Sequence, residues 1–364
     1  MTKHTDETFL TQIGNRSDQQ TGAVSAPIHL STTYAHPKLG QSTGFDYTRT
    51  KNPTRAIAEE ALAKLENGCR AVATSSGMSA IQLIFGLFPQ GSVFLVGRDI
   101  YGGSYRYFEY LEQQNIAKFR YFNNYEDLVA QLDEEVDAVF LETPTNPLMQ
   151  VFDIEAVAKK AKASNARLIV DNTFLTPLRQ KPLDLGADIV IHSGTKFLAG
   201  HNDLLAGVVV TNDEELGERL VWLANTTGPT LDSFDSWLLI RSLKTLAIRL
   251  DRQEENAKKI AAALRENSAV KEVLYPEVGG MISIRVADAV KIPEFLSQLQ
   301  VFTFAESLGG VESLITYPVT QTHADIPKEL RDSYGLTEDL LRLSIGIEGA
   351  EDLIADLNQA FSKL

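Results

Sequence analysis

The residue most open to chemistry is Lys196. It follows Ser193, Gly194 and Thr195 in the stretch HSGTKFLAGHND, directly behind the apolar run ADIVI. A lysine in that place has three open roles. It can be a solvated charge, a clamp for a phosphate group, or a nucleophilic amine that bonds to a carbonyl carbon. The stretch alone does not choose among them.

Other residues narrow the choice. Asp171 closes a second apolar run, RLIVD, and the C-terminal end of a parallel strand is where open α/β sheets take ligands. SSGM at 75–78 precedes a helical pattern, SGMSAIQLIFGLF, so the amides of Gly77 and Met78 would stand open at a helix N-terminus, a place suited to an anion. Ser193 and Thr195 add two hydroxyls beside Lys196. Tyr47 and Arg49, in FDYTRTKNPTR, add a hydroxyl and a guanidinium, whose fork of donors matches phosphate. Tyr101, in DIYGG, is read as ending another strand and can stack on a ring. Each of these also has an ordinary structural reading, as a cap, a surface residue or a core aromatic. Together they describe one ligand. A phosphate sits on amides and hydroxyls, a carboxylate faces a protonated ring nitrogen, an aromatic covers the ring and a lysine amine bonds to it. Pyridoxal 5'-phosphate (PLP) has these needs. Its ring draws electrons only while the nitrogen stays protonated, and a buried carboxylate keeps it so by charge pairing.

The elements that must hold these residues follow from patterning. PTRAIAEEALAKLENG begins with Pro53 and stops at Gly68, as helix ends prefer. Beyond it short apolar runs (RAVATSS, SVFLVG, KFRYF, DAVFLET, RLIVDNTF, ADIVIHSGT, LLAGVVVT) largely alternate with helical segments. That alternation predicts a mostly parallel sheet covered by helices on both faces. A long helical region is read from Phe234 to Asn267. After it KEVLY, MISIRV, VFTFAES and LLRLSIGIE are read as strands and PEFLSQL and EDLIADLNQAF as helices, which predicts a smaller α/β unit. Three parts are therefore expected: an irregular arm over 1–52, a large domain over 53–240 and a small C-terminal domain over 241–364.

Bulk properties bound the function. The chain has 364 residues and a net charge of -14, and no basic stripe is available to neutralise phosphates, so neither a nucleic acid nor an anionic membrane is an expected partner. Its single cysteine, Cys69, leaves no internal disulfide, and a reducing, cytoplasmic setting is expected. The start MTKHTDETFLTQ lacks the apolar core of a signal peptide, and no run has the length of a membrane span. The six histidines have no metal-ligand spacing, so no metal is expected. Dinucleotide and P-loop fingerprints are absent. Gly40-Gln41-Ser42-Thr43-Gly44 fits a hydrolase elbow, but no strand precedes it and no helix follows, so it is read as a polar loop.

The order and spacing of YTRTKNPT, SSGM, DIYGG, ETPTNP, VDNTF, HSGTK, GHND, AESLGGVESLITYP, THADIP and LRLSIGIE resemble the Cys/Met-metabolism PLP enzymes, the cystathionine γ-synthase family. The likeness runs from about Thr11 to the C-terminus. It implies the fold-type I, aspartate-aminotransferase-like architecture: a mostly parallel large domain with a smaller C-terminal α/β domain. It also implies a homotetramer built as a dimer of dimers. By the same resemblance Lys196 would carry the cofactor and shuttle protons, Asp171 would pair the pyridine nitrogen and Tyr101 would stack on the ring. Gly77, Met78, Ser193 and Thr195 would bind the phosphate, joined by Tyr47 and Arg49 from the neighbouring subunit. Arg342 would clamp the substrate carboxylate with help from Asn146 and the Ser307 region, and Glu306 would meet the amino group of the incoming cysteine or the distal end of cystathionine. The reaction implied is γ-replacement on an O-acyl-L-homoserine, acetyl or succinyl, by cysteine to give cystathionine, with sulfide as a second acceptor giving homocysteine. A cystathionine γ- or β-lyase is the alternative, and a PLP-free binding protein on the same fold is a remote one. Methionine γ-lyases carry a cysteine where Gly103 stands, which sets that activity aside. The connector from Tyr275 to Gly279 is shorter than the family's, which bears on the outer surface of the small domain.

Overall fold

A computed structural model describes residues 4–363. The first three residues of the arm and the last residue of the C-terminal domain lie outside the described residues. The chain forms two sheets. The larger is built from β1 (Arg70–Thr74), β2 (Ser92–Gly97), β3 (Ala117–Phe122), β4 (Val136–Glu142), β5 (Arg167–Asp171), β6 (Ile189–Ser193) and β7 (Gly207–Thr211). Its order is β1-β7-β6-β5-β4-β2-β3. Only β7 runs against its neighbours, so the sheet is mostly parallel.

The central strands are apolar because both of their faces are covered. Successive side chains point to opposite faces, so Ile169 and Ile189 pack under one helical layer while Leu168, Val170 and Val190 pack under the other. Burying such a side chain contributes about 1.5–3 kcal/mol. The first helix of the large domain, Pro53–Leu65, starts where Asn52 accepts hydrogen bonds from the amides of Thr54 and Arg55. The helix Gly77–Phe85 starts at Ser76, whose hydroxyl accepts from the Ser79 amide.

The register decides which residues meet. Glu142 lies opposite Asp171, and Asp171 opposite Ile191. The last residues of β4, β5 and β6 therefore gather at one edge, with Ser193 reaching furthest.

The second sheet contains β8 (Val270–Leu274), β9 (Met281–Val286), β10 (Thr303–Phe304), β11 (Leu314–Thr316) and β12 (Leu340–Ser344), in the order β10-β11-β12-β9-β8. Leu341 and Leu343 on β12 face the helices Leu246–Arg265 and Ala350–Phe361. Period-two alternation sends Arg342, between them, to the other face. The 275–279 connector is a tight hairpin closed by the Tyr275 hydroxyl, which donates to the Gly279 carbonyl at 3.0 Å.

Three readings need amending. The helical region from Phe234 to Asn267 is two helices, Ser233–Leu243 and Leu246–Arg265. The Ser242 carbonyl is taken by the Thr245 amide and hydroxyl and by Arg249 Nη2, which breaks the ladder there. The arm is not wholly irregular, because Thr5 caps a short helix, Asp6–Thr11. Of VFTFAES only two residues are strand, and the unforeseen β11 lies within ESLITYP. The stretch Gly40–Gly44 is exposed, with Ser42 tied to Asp46.

Candidate active site

A pocket opens at the C-terminal ends of β4, β5 and β6. Among its lining residues are Gly77, Met78, Tyr101, Asn146, Asp171, Ser193, Thr195, Lys196, Glu306, Ser307 and Arg342. Eleven of the thirteen residues singled out from sequence therefore meet in one place, although they span Gly77 to Arg342 along the chain.

Lys196 sits one turn beyond β6. Its Nζ donates to Ser307 Oγ at 2.9 Å. Burial disfavours the ammonium form and brings the pKa down to about 8, with nearby Arg342 adding to the effect and Glu306 opposing it. A free amine is thus within reach near neutral pH, as a nucleophile or proton carrier requires.

Asp171 forms the floor. Its Oδ1 accepts from the Thr173 amide at 3.0 Å and from the Thr173 hydroxyl at 2.6 Å. Thr173 in turn accepts from the Ser193 amide at 2.8 Å, so the ends of β5 and β6 are locked together. Burial pushes the Asp171 carboxyl up, against the Thr173 bonds and the His192 imidazole, which favour the anion. Beside it Glu142 is raised well above the usual carboxylate range by burial and by the charge of Asp171. Of the pair, Asp171 is the one placed to carry the charge.

One side of the pocket is a helix start packed tightly on a strand end. A Cβ at Gly77 would lie 2.9 Å from the Ser193 Cβ, so glycine alone permits the approach. The amides of Gly77 and Met78, which lie in the helix's first turn, and the hydroxyls of Ser193 and Thr195 surround this end.

Arg342 closes the opposite wall and is 1% exposed. Its Nη1 donates to Asn146 Oδ1 at 2.9 Å, and its Nη2 to the Ser307 carbonyl at 2.9 Å and to Thr316 Oγ1 at 3.1 Å. Nε is buried with no partner. Burial lowers its pKa to about 10, which leaves the guanidinium charged at neutral pH.

Tyr47 and Arg49 stand apart from this pocket. Within the chain Arg49 Nη1 donates to the Asn225 carbonyl at 2.5 Å, and Tyr47 is 47% exposed. Sequence reading passed over Glu142 and Thr173. Glu142 ends the apolar run DAVFLE as Asp171 ends RLIVD, so the same strand-end signal would have found it. Thr173 shows its role only through the hydrogen bonds it shares between two strands.

These residues fit PLP. Asp171 holds its protein donors on one oxygen, which leaves the other to face a ring N–H. The helix start and two hydroxyls suit a phosphate, and Lys196 has a lowered pKa. Among the described residues no group of three or more His, Cys, Asp or Glu side chains could hold a metal ion, and no helix is long and apolar enough to cross a membrane.

The chain as a whole is similar to known proteins. The family profile of Cys/Met metabolism PLP-dependent enzymes matches residues 7–362. The chain is 54% identical to a cystathionine gamma-synthase/O-acetylhomoserine (thiol)-lyase of Bacillus subtilis, over 100% of this chain and 98% of that one. It is 53% identical to a cystathionine gamma-synthase of Haemophilus influenzae, over 98% of each. Cystathionine lyases are also among the relatives, at 43% identity. A crystal structure of cystathionine gamma synthase from Xanthomonas oryzae pv. oryzae, in complex with aminoacrylate and cysteine, superposes with a TM-score of 0.97 at 40% identity, covering 100% of this chain and 99% of that one.

Proposed function

From the premise that the chain belongs to the Cys/Met metabolism PLP-dependent enzyme family, we propose that it catalyses γ-replacement on an O-acyl-L-homoserine, acetyl or succinyl. The thiol of L-cysteine displaces the acyloxy group to give L-cystathionine, and sulfide is a second acceptor giving homocysteine. The observation that carries this reading is Glu306. It lines both the pocket and its wider mouth, where Thr195, Leu205 and Ser307 are shared. A carboxylate there suits the ammonium group of the incoming cysteine, a group that the distal end of cystathionine also presents, and the higher identity to cystathionine gamma-synthases, 53–54% against 43% to the lyases, supports replacement over lysis.

When bound, PLP supplies an electron sink for charge developing at the substrate Cα and Cβ. The protein does the rest. Asp171 would hold the ring nitrogen protonated, and Tyr101 would cover the ring face. Gly77, Met78, Ser193 and Thr195 hold the phosphate. Arg342, steadied by Asn146 and the Ser307 carbonyl, takes the α-carboxylate. The Lys196 amine removes the proton from Cα and, once freed of it, helps to remove one from Cβ. The Cγ–O bond breaks, the carboxylic acid leaves as its anion, and the cysteine sulfur forms the Cγ–S bond as it gives up its proton. Lys196 returns protons to carbon to finish the turnover.

Tyr47 and Arg49 are assigned to the phosphate of a neighbouring subunit's site. The exposure of Val24, Leu30 and Leu39 on the arm, 73%, 74% and 105%, supports an arm that lies against another chain, within a homotetramer made as a dimer of dimers. An Arg49→Ala protein is then expected to hold PLP about tenfold or more weakly, for loss of a charged hydrogen bond. Equilibrium dialysis checks this, and unchanged affinity counts against the shared site. The single cysteine supports a cytoplasmic setting.

The reaction is tested by steady-state assay. O-acetyl- or O-succinylhomoserine with cysteine should yield cystathionine with a higher kcat/KM than that for breakdown of cystathionine alone. Much faster breakdown would make the chain a lyase instead.

A further inference from the structure

His323 is fully buried in the THADIP segment and takes no part in the chemistry above. Its Nε2 lies 3.1 Å from the Ile100 carbonyl and 3.1 Å from the Asn146 carbonyl. A carbonyl oxygen only accepts, so Nε2 must carry the proton and is shared between the two. On the other side Nδ1 stands 2.8 Å from the Thr322 hydroxyl, which can donate to it. Burial and the charge of Arg342 hold the pKa of the ring near 4. The ring therefore stays neutral, with its tautomer set by its neighbours.

The two carbonyls belong to the residue before Tyr101 and to Asn146 itself. Asn146 is held by its backbone at His323, while its side-chain oxygen accepts from Arg342 Nη1. Arg342 Nη2 has two acceptors, whereas Nη1 has Asn146 alone among the described residues. The Ser307 carbonyl and the Thr316 hydroxyl thus hold one end of the guanidinium, Asn146 holds the Nη1 end, and the imidazole behind Asn146 holds its backbone carbonyl. The approach is close: a Cβ at Gly102 would lie 2.1 Å from the Thr322 carbonyl oxygen. The 322–323 backbone is therefore seated directly on the Tyr101–Gly102 turn.

We propose that His323 is a positioning residue for substrate recognition, whose shared Nε2–H fixes Asn146 against Arg342 and so sets the geometry of the α-carboxylate clamp. An ordinary buried histidine would serve packing alone. A positioning role adds something packing does not: discrimination between a carboxylate and a neutral group at the same substrate atom. The inference rests on Arg342 as the clamp, and not on which reaction follows.

The test measures binding of an unreactive amino acid, L-norvaline, and of its α-amide to the holoenzyme by the change in cofactor absorbance. The wild-type protein should bind norvaline about tenfold or more tightly than the amide, as a charged hydrogen-bonded contact implies. H323F keeps an aromatic ring but loses the donor, and should lose most of that preference. H323Q can place an amide N–H near the ring Nε2 position and should retain the preference within about threefold. If H323F fails to fold, H323N, whose amide falls short of both carbonyls, replaces it with the same expectation. Full discrimination in H323F or H323N overturns the proposal, as does equal loss in H323Q and H323F, which would mean packing alone. If the wild-type protein binds both ligands alike, the clamp reading of Arg342 fails first, and that outcome is distinct from the other two.

Discussion

A Lys196→Ala protein is expected to lose at least about 10³-fold in turnover, the scale on which a positioned proton carrier acts. The loss should fall on kcat, because the α-carboxylate clamp and the phosphate cradle are built from other residues. The protein should still bind PLP, held by the amides of Gly77 and Met78 and the hydroxyls of Ser193 and Thr195, without the absorbance of a lysine-linked cofactor. The pH behaviour of the native residue gives a companion test. Burial disfavours the Lys196 ammonium and moves its pKa from 10.5 down to about 8. The reactive amine is the unprotonated form, so it accumulates as pH rises through about 8 and is lost below it. In the cofactor-free protein, the rate at which PLP becomes linked should rise with pH along that curve. A midpoint near 10.5 would mean that the buried, Arg342-facing environment does not act on the amine.

Replacing Arg342 by leucine is the second large change. The guanidinium is buried, tied to Asn146, Ser307 and Thr316, and left with an unpartnered Nε. Removing one partner of a buried, hydrogen-bonded charge pair costs about 2–5 kcal/mol, or roughly thirtyfold to several thousandfold in kcat/KM. Most of this should appear in KM, because the α-carboxylate is bound alike before and during the reaction. Arg342→Lys should recover little of it, since an ammonium lacks the planar fork that pairs a carboxylate through two parallel N–H bonds. Kinetics on an acylhomoserine with cysteine measure both variants, and an unchanged KM in Arg342→Leu would remove Arg342 from substrate binding.

Much of the large domain is legible because both faces of its strands are buried. The apolar cores of RLIVD and ADIVIHS, LIV before Asp171 and IVI before His192 and Ser193, stop at a polar residue. That stop marks the sheet edge where ligands bind, and it is why Asp171 and Ser193 could be picked out residue by residue; Tyr101 does not end a strand but lies four residues past β2, at the start of the helix Gly102–Gln113. Arg342 offers no such mark. It lies in LLRLS, a strand buried at every position, and a charge there has no periodic signature. Its place came from resemblance. His323 is likewise a lone histidine in sequence, and its role depends on carbonyls from Ile100 and Asn146. The break at Lys244–Thr245 was unreadable for a related reason: Arg249 draws the Ser242 carbonyl away while also reaching the Phe197 and Leu198 carbonyls. β11, three residues long, is too short for alternation to show. Tyr47 and Arg49 lie apart from the pocket within one chain, and the role proposed for them at a neighbouring subunit has no single-chain pattern to show it.

The measurement closest to the centre is chemical. The holoenzyme is reduced with borohydride, digested and mapped by mass spectrometry. The pyridoxyl group should be found on the peptide containing Lys196 and on no other lysine. A modified lysine elsewhere, or a reduced protein with no pyridoxyl group bound to it, would contradict the site built here around HSGTK.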